Sequence, residues 1–130
     1  MRSAFADTGY WIALINPNDG LHVRAIAVAR EIEPCNIVTS DMVLTEVLNM
    51  FADRGPQLRN IAVQAVEAIK EDPRIEVVPQ TRRLFQAAFD LYCKSLTDCA
   101  SFVIMAERKI TDALTHDRHF VQNGLNALLR

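Results

Sequence analysis

Several features that assign small proteins to a class are missing from this sequence. It has only three cysteines, Cys35, Cys93 and Cys99, an odd number at spacings that fit no metal site. They are typical of free thiols in a reducing compartment. No run approaches the ~18 uninterrupted apolar residues of a membrane span, and Asp7 interrupts the first apolar run too early for a signal peptide. These absences predict a cytoplasmic protein that does not contact a membrane.

The sequence also lacks an excess of charge of either sign. Its 16 acidic and 14 basic residues give a formal net charge of −2. That balance argues against a broad electrostatic grip on nucleic acid but leaves room for a local basic rim. Half of the 130 residues are hydrophobic, and a chain of this size buries about two-thirds of its surface on folding. Because no linker, repeat or low-complexity tract divides the chain, we predict one domain over residues 1–130.

Short β-type runs alternate with longer amphipathic patterns along the chain. Strands are predicted at residues 4–6, 36–39, 75–78 and 113–115, with a closing apolar segment at 125–129. Helices are predicted at residues 10–14, 21–32, 41–53, 58–70, 81–94 and 95–108. This alternation implies βα units and a mainly parallel sheet. The sequence therefore predicts an α/β fold in which a short sheet of about five strands is flanked by helices.

Four acidic residues stand where predicted strands end or predicted helices begin. Asp7 follows the first strand, Asp98 opens a late helix, and Asp117 follows the last clear strand. Glu46 lies in the helix after the second strand. Because ligands of open parallel sheets bind beyond the carboxyl ends of the strands, we expect the four side chains to converge. Each also has an ordinary explanation, as a helix cap, an amphipathic boundary residue or a turn residue.

Convergence of these acids would point to a divalent cation. Crowded carboxylates repel one another strongly unless a cation neutralises them. Oxygen ligands without a cysteine or histidine cluster suit Mg²⁺ or Mn²⁺ rather than zinc. Such ions support phosphodiester hydrolysis, because they activate water and stabilise the charge of the transition state. The residues therefore predict metal-dependent hydrolysis of a phosphodiester.

The sequence resembles the PIN-domain ribonucleases, most closely the VapC-like toxins of toxin–antitoxin pairs. Four stretches carry the likeness in order across almost the whole chain: FADTGYWIAL, TSDMVLTEVLNMFADRG, SLTDCASFVIM and ALTHDRHF. The SLTDCASF stretch followed by T-x-D-x-HF is specific, whereas DTG alone is weak. One stretch departs from the pattern. In the relatives the segment before SLTD is longer and carries acidic residues and a tryptophan, whereas here Tyr92-Cys93-Lys94 runs straight into Ser95.

The resemblance implies a fold, a site and partners. It implies a PIN-like three-layer fold and a divalent-metal-dependent endoribonuclease that acts as a toxin on RNA. The acidic quartet of the site would be Asp7, Glu46, Asp98 and Asp117. Its cofactor would be Mg²⁺ or Mn²⁺, and Thr8 and Thr115 would give polar support. A small antitoxin protein and a homodimer are also expected.

Within such a site, roles can be assigned as hypotheses. Asp7 and Asp98 would anchor the principal metal, and Asp117 and Glu46 would complete the sphere or orient the attacking water. The candidate phosphate contacts are Arg82, Arg83 and Arg118.

The partner is expected to wrap the domain and to insert an arginine or lysine among the acids. The apolar faces of helices 41–53 and 58–70 would supply a groove for it. The groove residues would be Met50, Phe51, Leu58 and Ile61. Core packing or a homodimer contact explains the same residues equally well.

Two other functions fit the sequence less well. A catalytically degenerate PIN-like module that binds RNA or protein is disfavoured by the intact quartet. A receiver domain or an aspartate-nucleophile phosphatase would keep a second acid beside the nucleophile. The Asp7-Thr8-Gly9 stretch lacks that acid, and no lysine is obviously placed to pair with phosphate.

Overall fold

The computed structural model describes all residues 1–130 and contains one five-stranded sheet and seven helices. The strands are β1 (Arg2–Ala6), β2 (Cys35–Ser40), β3 (Ile75–Val78), β4 (Asp112–Leu114) and β5 (Asn126–Ala127). The helices are α1 (Thr8–Ile15), α2 (His22–Glu31), α3 (Asp41–Phe51), α4 (Pro56–Glu71), α5 (Arg82–Leu91), α6 (Leu96–Arg108) and α7 (Arg118–Gln122). The predicted α/β fold, with about five parallel strands flanked by helices, is confirmed.

The strand order places a topological switch point at the centre of the sheet. The order is β3-β2-β1-β4-β5, and all neighbouring strands are parallel. The chain builds outward from β1 to β3 and then returns to the other side of β1 as β4. Such a reversal opens a crevice beyond the carboxyl ends of the two central strands. Ala6 pairs with Leu114 there, so Asp7 and Thr115 leave adjacent strands at the same level.

The central strand β1 is buried on both of its faces. Ala4, Phe5 and Ala6 are all 0% exposed, as expected of a strand inside a parallel sheet covered by helices. One cluster of 29 buried residues forms the core and extends from Ala4 to Leu129. The crevice residues that follow β1 are therefore anchored to the most buried part of the molecule.

Hydroxyl caps set the starts of three helices. Ser40, Thr81 and Ser95 each accept a hydrogen bond from the backbone amide three residues later, at 3.1–3.2 Å. Ser95 thus caps α6, and Ser40 caps α3. The helix predicted over 81–94 ends earlier, at Leu91, because residues 92–95 must leave the helical path to cap α6. We call residues 92–95 the α5–α6 link.

Helix α3 carries a buried stripe at four-residue spacing. Val43, Val47 and Phe51 are at most 1% exposed and belong to the core. Phe51 is therefore a core residue and does not line a partner groove, so the alternative of core packing holds for this position. Met50 and Ile61 are 48% and 44% exposed and remain on the surface. None of the helices combines the length and the apolar character needed to cross a membrane.

Candidate active site

Asp7 stands at the switch point and is held by a neighbouring strand. It is the N-cap residue of α1, but its side chain makes no capping bond. Instead its Oδ2 atom accepts a hydrogen bond from Thr115 Oγ1 at 2.8 Å. Burial raises the pKa of Asp7 to about 6, the charges of Asp98 and Glu46 add to the rise, and the Thr115 bond opposes it. An ionised carboxylate at this position is therefore costly without a nearby cation.

Asp98 reaches the same crevice from the first turn of α6. The Ser95 hydroxyl fixes this turn by accepting from the Asp98 backbone amide at 3.2 Å. Burial raises the pKa of the Asp98 carboxyl, and the negative charges of Asp117 and Glu46 raise it further. The contact with Ser95 and the charge of Lys94 act in the opposite direction. Asp98 and Asp7 are thus two buried acids with raised pKa values, and the charge of Asp98 contributes to the raised pKa of Asp7.

Glu46 approaches from α3 and is half-buried. It lies on the edge of the apolar stripe of this helix, as the sequence predicted for a boundary position. Its charge acts on both Asp7 and Asp98. Glu46 also lines an open cleft together with Thr97 and Phe85, so the acids connect to the surface between α3 and α6.

Asp117 has the most elaborate set of partners among the four acids. Its Oδ1 atom accepts from the His119 backbone amide at 2.9 Å, which caps α7, and lies 2.7 Å from His119 Nδ1. Its Oδ2 atom lies 3.8 Å from Lys94 Nζ. Burial opposes ionisation, but the His119 hydrogen bonds and the Lys94 charge together lower the pKa of Asp117. Asp117 therefore fills the predicted turn role, and its charge also acts on Asp98.

Each of the four acids interacts by charge with at least one of the other three, yet no three of them form a ready-made set of metal ligands. Repulsion between carboxylates favours separation. In addition, Asp117 is held by its lysine and histidine partners. The donor set still fits a hard cation, because it consists only of carboxylates. The Thr8 hydroxyl, directly after Asp7, is buried without a hydrogen-bond partner, which is the kind of atom that a bound water satisfies.

The structure corrects the expected set of basic residues. Lys94 lies in the α5–α6 link against Asp117 and His119, although the sequence indicated no lysine in position to bind phosphate. Arg83 pairs through two contacts, at 2.7 and 3.2 Å, with Glu107. Glu107 is nine residues beyond Asp98, about 13 Å along α6. That ion pair draws Arg83 away from the acids, whereas Arg82 and Arg118 are exposed.

Comparison with known proteins places the chain in a family. The sequence profile of the PIN domain matches residues 4–124. A solved structure of VapC20 from Mycobacterium tuberculosis, described as a sarcin–ricin loop cleaving toxin, superposes with a TM-score of 0.83. It is 27% identical to this chain, and the alignment covers 94% of this chain and 95% of VapC20. No match was found among curated proteins. The predicted resemblance to VapC-like PIN-domain ribonucleases is confirmed, and the chain belongs to the PIN-domain family.

Proposed function

We propose that this chain is a VapC-type toxin that cleaves RNA by divalent-metal-assisted hydrolysis at Asp7, Glu46, Asp98 and Asp117. The membership in the PIN-domain family and the similarity to VapC20 support a toxin ribonuclease. The observation that carries the assignment of the site is the pair of buried carboxylates at the switch point. Burial and the negative charges of neighbouring acids raise the pKa of both Asp7 and Asp98, and two such carboxyls side by side favour a cation.

The two buried acids would hold the cation, and the two half-buried acids would assist them. Asp7 is fixed by Thr115, and Asp98 is fixed by the Ser95 cap, so both have defined positions. Glu46 and Asp117 would complete the ligand set or orient the attacking water. The chemistry that Mg²⁺ or Mn²⁺ supplies when bound is neutralisation of the phosphate charge and easier deprotonation of that water. Zinc would substitute poorly because the site has no nitrogen or sulfur ligand set.

RNA cleavage tests this proposal directly. We expect wild-type protein to cut a labelled RNA in Mg²⁺, and Glu46→Gln to cut it far more slowly while folding normally. Asp53→Asn serves as the matched control. Asp53 is exposed and follows α3 in the sequence, so this substitution removes one carboxylate that lies outside the crevice. Equal loss in both variants would point to a general effect of charge. Wild-type activity in Glu46→Gln would remove Glu46 from the site.

A small antitoxin is the proposed partner, and its contact surface would include apolar residues of α3 and α4. The apolar side chains of Leu48, Met50 and Ile61 are 38–48% exposed there and do not belong to the buried core. The crevice of acids would accept an arginine of the partner, because a guanidinium pairs with carboxylates through two parallel hydrogen bonds. A homodimer contact through the same surface is the competing explanation.

Co-expression distinguishes these partners. A toxin that acts on RNA would work in the cytoplasm, so its expression alone should arrest growth. Expression together with the proposed antitoxin, sought as a small reading frame beside the gene of this chain, should restore growth and yield a complex that lacks ribonuclease activity. A Met50→Glu, Ile61→Glu variant should fail to form that complex yet still cleave RNA. If the variant changes only the self-association of the chain, the surface is a homodimer contact.

A further inference from the structure

We propose that Lys94 is a substrate-binding residue of this site, which donates hydrogen bonds to the RNA phosphodiester beside the acids. The inference rests on the proposed ribonuclease function. It concerns a residue of the α5–α6 link, the segment in which this chain departs from the family pattern.

Lys94 is the lysine or arginine that forms an ion pair with one of the four acids. Its Nζ atom lies 3.8 Å from Asp117 Oδ2, and its charge acts on Asp98 as well. The arginine ion pairs of the chain all involve other acids, namely Asp112, Glu33, Asp72, Glu107 and Glu76. A chain with no excess of positive charge thus keeps one ammonium group at its crevice.

The present contacts of Lys94 are exchangeable rather than fixed. Its ammonium lies within hydrogen-bonding distance of both ring nitrogens of His119. The Nδ1 atom of that ring also lies 2.7 Å from Asp117 Oδ1. One ring nitrogen either donates to the carboxylate or accepts from the ammonium, but does not do both. The three side chains therefore compete for one bond, and with 29–36% of each side chain exposed the ammonium has room to turn away.

A cation at the acids would change the balance that holds Lys94. Asp117 would then be neutralised by the cation, and the ammonium would be repelled from it. An RNA phosphate entering the crevice offers the ammonium a new anionic partner, for which lysine has three donors and a flexible stem. Lys94 would therefore compete with the cation before substrate arrives and bind the substrate afterwards.

Opposite effects on two affinities test this role. In Lys94→Met, which removes the charge at nearly constant length, we expect Mn²⁺ measured by calorimetry to bind about tenfold more tightly, because a competing positive charge is gone. A residue that only supports the structure would weaken Mn²⁺ binding when replaced. Lys70→Met is the matched control, because Lys70 is exposed in the last turn of α4 and should leave Mn²⁺ affinity unchanged.

The salt dependence of RNA binding identifies the phosphate contact. We would follow a fluorescent single-stranded RNA by anisotropy in Ca²⁺ at several salt concentrations, and verify on gels that the RNA stays intact. Each phosphate contact with single-stranded RNA contributes about 0.7 to the slope of log affinity against log salt. The slope for Lys94→Met should be smaller than that of wild type by about 0.7, and RNA should bind about tenfold more weakly. Lys94→Arg, which keeps the charge, should retain the wild-type slope.

The outcomes separate this inference from the proposed function. An unchanged salt slope in Lys94→Met, weaker Mn²⁺ binding in that variant, or a reduced slope in Lys94→Arg would each overturn the role of Lys94. If wild-type protein binds Mn²⁺ and cuts RNA, none of these results contradicts the proposed ribonuclease function. Wild-type protein that neither binds Mn²⁺ nor cuts RNA would overturn both.

Discussion

The Thr115 hydroxyl donates a hydrogen bond to the Asp7 carboxylate over 2.8 Å, at the point where β1 and β4 end. The two residues are 1% and 7% exposed. The same hydroxyl accepts from the Asp117 backbone amide at 3.1 Å. One buried side chain thus sets the position of Asp7 and the start of the turn that carries Asp117. Asp7 and Thr115 are 108 residues apart in the sequence, and the pairing of β1 with β4 brings them together.

Replacing Thr115 by valine should damage both stability and activity. The change preserves volume but leaves the Asp7 carboxylate and the Asp117 amide without a partner, so the free energy of unfolding should fall by about 1–3 kcal/mol. RNA cleavage should fall about 10- to 100-fold, as is typical when a residue that orients a metal ligand is lost. Thr115→Ser keeps the hydroxyl and should retain most of the activity. Full activity in the valine variant would show that this hydrogen bond does not position the acids.

The raised pKa of Asp7 makes stability depend on pH in EDTA. The folded carboxyl has a pKa of about 6, against an ordinary value of 3.8, so the folded state binds more protons than the unfolded state between these values. The contribution of Asp7 to stability is therefore fully present below about pH 4 and is lost as pH rises through about 6. The full loss would be up to about 3 kcal/mol.

Asp7→Asn isolates this contribution from that of other groups. Asparagine still accepts the Thr115 hydrogen bond but does not ionise. In chemical denaturation at pH 7 and in EDTA, the variant should be more stable than wild type, and the difference should shrink toward pH 4. Asp117 has a lowered pKa, so its contribution to the stability of the protein is instead lost at acid pH, below its ordinary pKa. A difference between variant and wild type that stays constant from pH 4 to 7 would contradict burial of an ionised Asp7.

Divalent cations should control both folding stability and cleavage. Addition of Mn²⁺ at pH 7 should raise the melting temperature, because an ion that binds only the folded state stabilises it by mass action. The increase should be smaller at pH 5, where protons compete for the same carboxylates. Cleavage should stop in EDTA, return with Mg²⁺ or Mn²⁺, and return poorly with Zn²⁺. Full cleavage in EDTA would reject metal-assisted hydrolysis.

Local chemistry made much of the fold predictable from the sequence. The Ser95 cap and the apolar run after Asp98 define α6, and turn and cap signals separate the strands from the helices. The stripe of Val43, Val47 and Phe51 was also readable, since residues four apart share one face of a helix. For Phe51 this stripe favours core packing over the alternative of a groove contact. The two-residue strand β5 is too short to be distinguished within the apolar segment 125–129.

The interactions that tune the site were harder to predict because they join distant parts of the chain. The periodic pattern of the sequence continues the predicted helix through Lys94, so it places this lysine in a helix rather than in the α5–α6 link. Its contacts with Asp117 and His119 depend on where α7 begins, and His119 lies 25 residues later in the sequence. Likewise, Trp11 Nε1 of α1 donates to Thr39 Oγ1 of β2 at 3.1 Å, a buried contact between side chains 28 residues apart.

The rate at which purified Asp98→Asn cleaves a labelled RNA in Mg²⁺ tests the central role of the acids most directly. The substitution keeps the backbone amide that donates to the Ser95 hydroxyl. It also removes a buried carboxyl group whose pKa is raised, so the variant should fold at least as well as wild type. Its cleavage should nevertheless fall to that of a sample without enzyme, because an amide does not neutralise a cation. Asp53→Asn should cut at the wild-type rate. A folded Asp98→Asn protein that cuts RNA as fast as wild type would contradict a catalytic site at Asp7, Glu46, Asp98 and Asp117.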